Sequence, residues 1–272
     1  MSIFTDFHIH SDFSGDSDAP MESMIEEGIR LGLKTMCFTE HFDPDYPYEE
    51  IDFSLDLVRY RKTFLTLKDQ YRDRIELLFG IELGLQPHLS DVLRQTINAC
   101  PFDFVIGSTH LVDHMDPYYP EYFQTFSDRQ GFRRYFEEVL KNLEAFSDID
   151  TLGHLDYIVR YSPNKNQNYH WHDHQDLIDA ILRFLIDRGI SLEVNTAGLK
   201  YGLGHPNPTP EILKRYRELG GEHITIGSDG HCPAHLAYDF SVLPKLLSEC
   251  GFSHYTIYRN RKPYQESLLS TL

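Results

Sequence analysis

Residues 3–10 read Ile3-Phe4-Thr5-Asp6-Phe7-His8-Ile9-His10, a β-rich apolar run that ends in two histidines spaced i, i+2. Side chains alternate between faces in an extended chain, so His8 and His10 project together from the end of the run. The same construction recurs. Further β-rich runs lie at Thr35–Thr39, Glu76–Ile81, Phe102–Ile106, Asp150–Gly153, Ser191–Val194 and His223–Ile226. Between them, apolar residues at helical spacing mark Met21–Leu31, Leu55–Tyr71, Val92–Cys100, Phe132–Phe146, Leu177–Ile186 and Ile212–Leu219. Alternating strands and helices about 30–45 residues apart predict a parallel sheet with crossover helices, and seven such units are nearer a closed barrel than an open sheet. An open doubly wound sheet would carry an early glycine-rich phosphate loop, and neither G-x-G-x-x-G nor G-x-x-x-x-G-K-[ST] occurs. A last β-like run, Tyr255–Arg259, either closes the barrel or is an appendage.

Each run ends in a ligand-type or strongly polar residue: His8 with His10, Glu40-His41, Glu82, His110, His154 with Asp156, Asn195, and Asp229 with His231. Any one of these alone reads as a hydrogen-bonded rim residue. The set does not, because the opposite strand ends, such as Ile3, Leu77 and Phe102, are apolar. Strand ends of a barrel meet at one mouth, so the pattern predicts a metal site there, and imidazole and carboxylate suit zinc, manganese and iron. His88, His170, His172, His174, His223, His235 and His254 lie off the strand ends and are expected to be non-ligands, with the 170–174 run facing solvent. The long irregular stretches Val112–Thr125 and Tyr161–His174 are candidate walls or lids on the same face.

The chain has 272 residues, 41% of them hydrophobic, which predicts a single domain over residues 1–272. Apolar runs fall far short of the ~18–20 residues of a membrane helix, and the N-terminus lacks the regions of a signal peptide. A cytoplasmic protein with no membrane partner is expected. Cys37, Cys100, Cys232 and Cys250 are scattered without a C-x-x-C pair, so neither a disulfide framework nor a thiolate site is predicted. A net charge of −17 argues against nucleic acid as a partner, whereas 15 histidines suit metal binding.

These motifs resemble the PHP superfamily, named for polymerase and histidinol phosphatase domains. The matching pieces are His8-Ile9-His10-Ser11, Ser14-Gly15-Asp16, Thr39-Glu40-His41, Gly80-Ile81-Glu82, Gly107-Ser108-Thr109-His110, Gly153-His154-Leu155-Asp156 and Gly227-Ser228-Asp229-Gly230-His231. The resemblance implies a distorted (β/α)7 TIM-like barrel holding three divalent ions (zinc, manganese or iron) at the C-terminal ends of its strands. It assigns His8, His10, Glu82 and Asp229 to one ion, Glu82 with His110 and His154 to a second, and Asp16, His41 and His231 to a third. Some relatives carry histidine where Asp16 stands. Residues 107–112, 153–160 and 193–200 resemble the histidinol-phosphate phosphatase subfamily, which implies a phosphomonoesterase acting on L-histidinol phosphate in histidine biosynthesis. That subfamily often has arginine at the position of Lys200.

For such a reaction the expected nucleophile is a metal-bridging hydroxide, since divalent ions lower the pKa of bound water toward ~7. Asp229 or His231 is the expected proton donor to the alkoxide, with Glu82 as the catalytic bridge. Arg160 is the expected phosphate clamp, with Lys200 and His205 as helpers. Rival readings are a phosphoesterase of the same superfamily acting on nucleotides or other small esters, an amidohydrolase-type metal hydrolase, and a silent metal-binding domain. An amidohydrolase usually bridges its metals with a carbamylated lysine, and Glu82 occupies that place here.

Overall fold

A computed structural model of the chain describes residues 3–268. Its elements alternate as β1 (Thr5–Ile9), α1 (Met21–Leu31), β2 (Thr35–Phe42), α2 (Leu57–Tyr71), β3 (Glu76–Gly84), α3 (Ser90–Ala99) and β4 (Phe104–Ser108). They continue through α4 (Pro120–Thr125), α5 (Asp128–Ala145), β5 (Thr151–Leu152), α6 (Gln175–Arg188), β6 (Ser191–Asn195), α7 (Ala197–Lys200), α8 (Pro210–Glu218) and β7 (Ile224–Gly227). Strands β1 to β7 pair in chain order, all parallel. Backbone bonds also cross the remaining seam: the Asp229 N–H donates to His8 O at 2.9 Å, and the His10 N–H to Gly230 O at 3.0 Å. The result is the distorted seven-stranded barrel that the sequence predicts.

Helical periodicity explains how the outer layer attaches. Helix α1 buries Met21, Met24, Ile25 and Gly28, one face at i, i+3, i+4 and i+7, and stops at Gly32, whose φ of 81° is the left-handed cap glycine favours. Helix α6 buries Ile178, Ile181, Leu182 and Leu185 in the same pattern. Each such Met, Ile or Leu side chain contributes roughly 1.5–3 kcal/mol through burial, against an ordering cost of about 1–2 kcal/mol per backbone residue.

Strands β2 and β3 run past Thr39 and Ile81, where their apolar runs stop. Ladder bonds come from the backbone, so the polar residues beyond remain in register, and His41 pairs directly with Glu82. Both side chains therefore sit on strands rather than loops. Strand β5 is shorter than expected, only two residues long.

The run at Tyr255–Arg259 is an appendage. It forms β8 (His254–Arg259), which pairs antiparallel with β9 (Lys262–Ser267) and stays out of the seven-stranded sheet. Helix α9 (Leu243–Glu249) precedes β8 and leads into the hairpin. The hairpin covers the N-terminal mouth. The Tyr258 hydroxyl donates to Asp150 O at 3.1 Å and lies 2.9 Å from Ser191 Oγ, while the Asn260 N–H donates to Asp103 Oδ1 at 3.0 Å. Arg259 grips Glu76 at 2.6 and 2.7 Å, and Arg261 lies 2.5 Å from Asp150.

Candidate metal centre

At the opposite mouth, the first-built feature is Glu82, projecting from β3 into the barrel. Its Oε2 lies 3.1 Å from His8 Nε2, 3.4 Å from His10 Nε2 and 3.1 Å from His41 Nδ1. Its Oε1 lies 3.1 Å from His154 Nε2 and 3.4 Å from His110 Nε2, and accepts from Ser108 Oγ at 2.6 Å. The two oxygens thus face two separate groups of imidazoles. Asp229 Oδ1 lies 3.9 Å from His8, 3.7 Å from His10 and 3.5 Å from His231. Asp16 Oδ2 lies 3.1 Å from His231 Nε2 and 3.8 Å from His41 Nε2.

An outer set of oxygens fixes the rings. His8 Nδ1 is 2.5 Å from Glu193 Oε1, and His110 Nδ1 is 2.6 Å from Asp43 Oδ1. His10 Nδ1 is 3.1 Å from Ser14 Oγ, and His231 Nδ1 is 3.1 Å from Asp229 O. A proton held on Nδ1 leaves the Nε2 lone pair aimed inward, the form a metal ligand needs. Asp43 and Glu193 were missed by sequence reasoning, although Asp43 lies two residues beyond His41 and Glu193 two before Asn195, the spacing that paired His8 with His10. Glycine is needed at the crowded seam: a side chain at Gly227 would collide with His8 and Glu193.

Electrostatics and hydrogen bonding both point to a cation. Burial acts to raise the Glu82 carboxyl, but His8, His41 and His110 outweigh it and hold it well below its usual range. Burial would lower His41, yet Glu82 and Asp16 push it up to about 9; burial would raise Asp43, yet His110 and His41 bring it down to about 2. His10 Nε2, His41 Nδ1 and His231 Nε2 are buried and face carboxylate oxygens at 3.4, 3.1 and 3.1 Å without hydrogen-bonding geometry. Each such orphan costs about 1–3 kcal/mol, and together they fit a divalent ion. Ligand atoms of His8, His10 and Glu82 lie within 4.8 Å of one another, as do those of Glu82, His110 and His154, and of His10, His41 and His231.

Asp16, His41, His110, His154, Asp229 and His231 of the cluster line a cavity of about 370 Å³. Arg160, from the turn after β5, is buried in its wall between the rings of Tyr157 and Tyr201, 3.3 Å from Asp229 Oδ2, with its Nε unpartnered. Lys200 also lines the cavity and donates to Asp229 O at 3.0 Å. His205 does not line it; its Nδ1 lies 2.7 Å from Pro206 O. His235 does line it, although its sequence position lies off the strand ends. Asp156 turns away and accepts from Asn207 Nδ2 at 2.6 Å and the Thr209 N–H at 3.0 Å. Glu40 braces the loop carrying Asp16, accepting from the Ser11 N–H at 2.9 Å and Ser14 Oγ at 2.6 Å.

The expected walls are present in part. The stretch after β4 supplies Asp116 and Tyr118, and Tyr161 opens the second stretch. The segment after β2 adds Tyr46, Ile51 and Phe53, which periodicity did not mark. His170 and His172 are exposed as expected, but His174 is buried at 2% exposure against Phe132 and Phe136, because the turn 171–174 folds its ring under α5.

A family model described as the PHP domain matches residues 6–197, and the chain belongs to that family. A probable histidinol-phosphatase of Clostridium acetobutylicum is 33% identical over 246 residues, covering 90% of this chain and 93% of the relative. The histidinol-phosphatase of Lactococcus lactis is 30% identical over 263 residues, covering 94% and 95%. The crystal structure of a Lactococcus lactis histidinol phosphate phosphatase with zinc, L-histidinol and phosphate matches with a TM-score of 0.86 at 28% identity, covering 96% of this chain and 98% of that one.

Proposed function

We infer that this chain is a single-domain, metal-dependent phosphomonoesterase that hydrolyses L-histidinol phosphate to L-histidinol and phosphate. The carrying observation is that the buried Arg160 shares one cavity with His41, His110, His154, Asp229 and His231, the members of the Glu82-centred cluster that face it. Relatives named for this activity span nearly the whole chain, and a structural neighbour holds the two products. The site binds divalent metal. Three ions fit the arrangement: His8, His10, Glu82 and Asp229 for one, Glu82, His110 and His154 for another, and Asp16, His41 and His231 for the third. Zinc, manganese and iron all suit these donors.

Bound ions would neutralise phosphate oxygens and supply a nucleophilic water near neutral pH. The chain's residues do the rest. Arg160 offers a planar fork to the phosphate, pre-oriented by the two tyrosine rings and by Asp229. Lys200 adds a second positive charge beside it. Asp229 stays ionised, since burial is outweighed by His8, His231, Arg160 and Lys200. Held to an ion through Nε2 and with its Nδ1 proton directed at Asp229 O, His231 has no proton free for the alkoxide, so neither member of the expected pair is placed to act as the acid.

The test is metal analysis with steady-state hydrolysis of L-histidinol phosphate against a nucleotide panel. About three ions per chain and a strong preference for L-histidinol phosphate are expected; equal or better turnover of nucleotides would overturn the substrate. Among the described residues, no helix is long and apolar enough to cross a membrane.

A further inference from the structure

The cavity wall also carries a carboxylate that the reaction above does not use. Asp116 is 7% exposed and lines the cavity. Its Oδ2 accepts from the Tyr46 hydroxyl at 2.6 Å and its Oδ1 from the Tyr118 N–H at 2.8 Å. Among the described residues it has no lysine, arginine or histidine within 4.0 Å. The other carboxylates lining the cavity, Asp16, Asp43 and Asp229, are each within reach of an imidazole. An ionised carboxylate accepts about four hydrogen bonds, so Asp116 keeps capacity for a donor from the cavity.

Its surroundings are aromatic and braced. Tyr46 packs edge-on against Phe53 at 4.8 Å, Tyr118 against Tyr161 at 5.7 Å, and Tyr161 against Tyr157 at 5.2 Å. Burial raises Asp116 more than Tyr46 and the Tyr118 N–H lower it, so holding it charged is costly until a cation arrives. Aromatic faces around a carboxylate favour such a cation. The cavity is then polarised: Arg160 and Lys200 attract the phosphate, and Asp116 repels it.

We propose that Asp116, oriented by Tyr46, is a specificity-determining residue that binds the ammonium group on the alcohol part of the phosphate ester. This rests on the phosphatase reading above and extends it to cationic amino-alcohol esters as a class. The ammonium is the relevant cation because it is fully charged at neutral pH, whereas a free imidazole, with a pKa near ~6.5, is mostly neutral.

The experiment compares kcat/KM on L-histidinol phosphate and on its deamino analogue for the wild type, Asp116→Asn and Tyr46→Phe. The wild type is expected to prefer the amine-bearing ester at least tenfold. Asp116→Asn should lower that preference about 10- to 100-fold, chiefly through KM, and Tyr46→Phe should lower it in the same direction by less. Equal losses on both esters would make Asp116 a wall residue and overturn the inference while leaving the phosphatase reading intact. An unchanged preference would do the same. Failure of the wild type to hydrolyse either ester would overturn the phosphatase reading itself, and the inference with it.

Discussion

The two mouths of the barrel are both rich in buried charge, and they handle it in opposite ways. At the N-terminal mouth, Glu76 accepts from Arg259 and Thr35, Asp103 from the Phe79 and Asn260 N–H groups, and Asp150 from the Val105 N–H beside Arg261. Each carboxylate there has donors from within the chain. At the C-terminal mouth six imidazoles crowd around Glu82, Asp16 and Asp229, and several ring nitrogens lack hydrogen-bonding geometry. Carboxylates answered by backbone N–H groups and arginines hold the hairpin on the barrel, whereas the close knot of imidazole nitrogens lacking hydrogen-bonding geometry marks where something else binds.

The largest test of that contrast is chelation. Exhaustive removal of metal should abolish phosphatase activity by at least about 1,000-fold, with activity restored by zinc or manganese; unchanged activity would make the two mouths alike. Next, Glu82→Gln should cut kcat/KM by about 1,000-fold and lower the metal count by atomic absorption, since both oxygens are engaged. Asp43→Asn and Glu193→Gln should weaken metal affinity about 10- to 100-fold in competition with a chromophoric chelator. A smaller effect is expected from Arg160→Ala, which should raise KM about tenfold with metal content retained. At the other mouth, Arg261→Ala should cost about 1–3 kcal/mol, read as a lower Tm, with kcat/KM of the folded protein within about twofold of wild type. A large catalytic loss there would break the division of labour.

The barrel was legible because its strands are apolar runs and its helices carry clean periodicity, as α1 and α6 do. The ligand candidates were legible for a related reason: they stand where apolar runs end, and His8, His10, Glu82, His110, His154, Asp229 and His231 do meet at one mouth. What the sequence hid depends on distant packing. Glu193 meets His8 across 185 residues, and Asp43 meets His110 across 67. The cavity wall from Tyr46 to Phe53 has no periodicity to announce it. His205 stands in a motif-rich loop but points to its own neighbour's carbonyl, and Tyr122, in the aromatic stretch after β4, spends its hydroxyl on Gly131 O at 2.8 Å.

The seam between β7 and β1 also governs when the site can come into existence. His8 and Asp229 lie at opposite ends of the barrel's sequence, and their strands meet through the Asp229 N–H to His8 O bond. No fragment lacking either end can assemble the cluster. Closing so long a loop is entropically slow to reward, so the ligand cluster is expected to complete late in folding. A cation held there stabilises only the finished barrel, by about 4.1 kcal/mol at a free concentration 1,000 times its Kd. Metal uptake during refolding would thus act as a clock, timing the moment at which the first and last strands join.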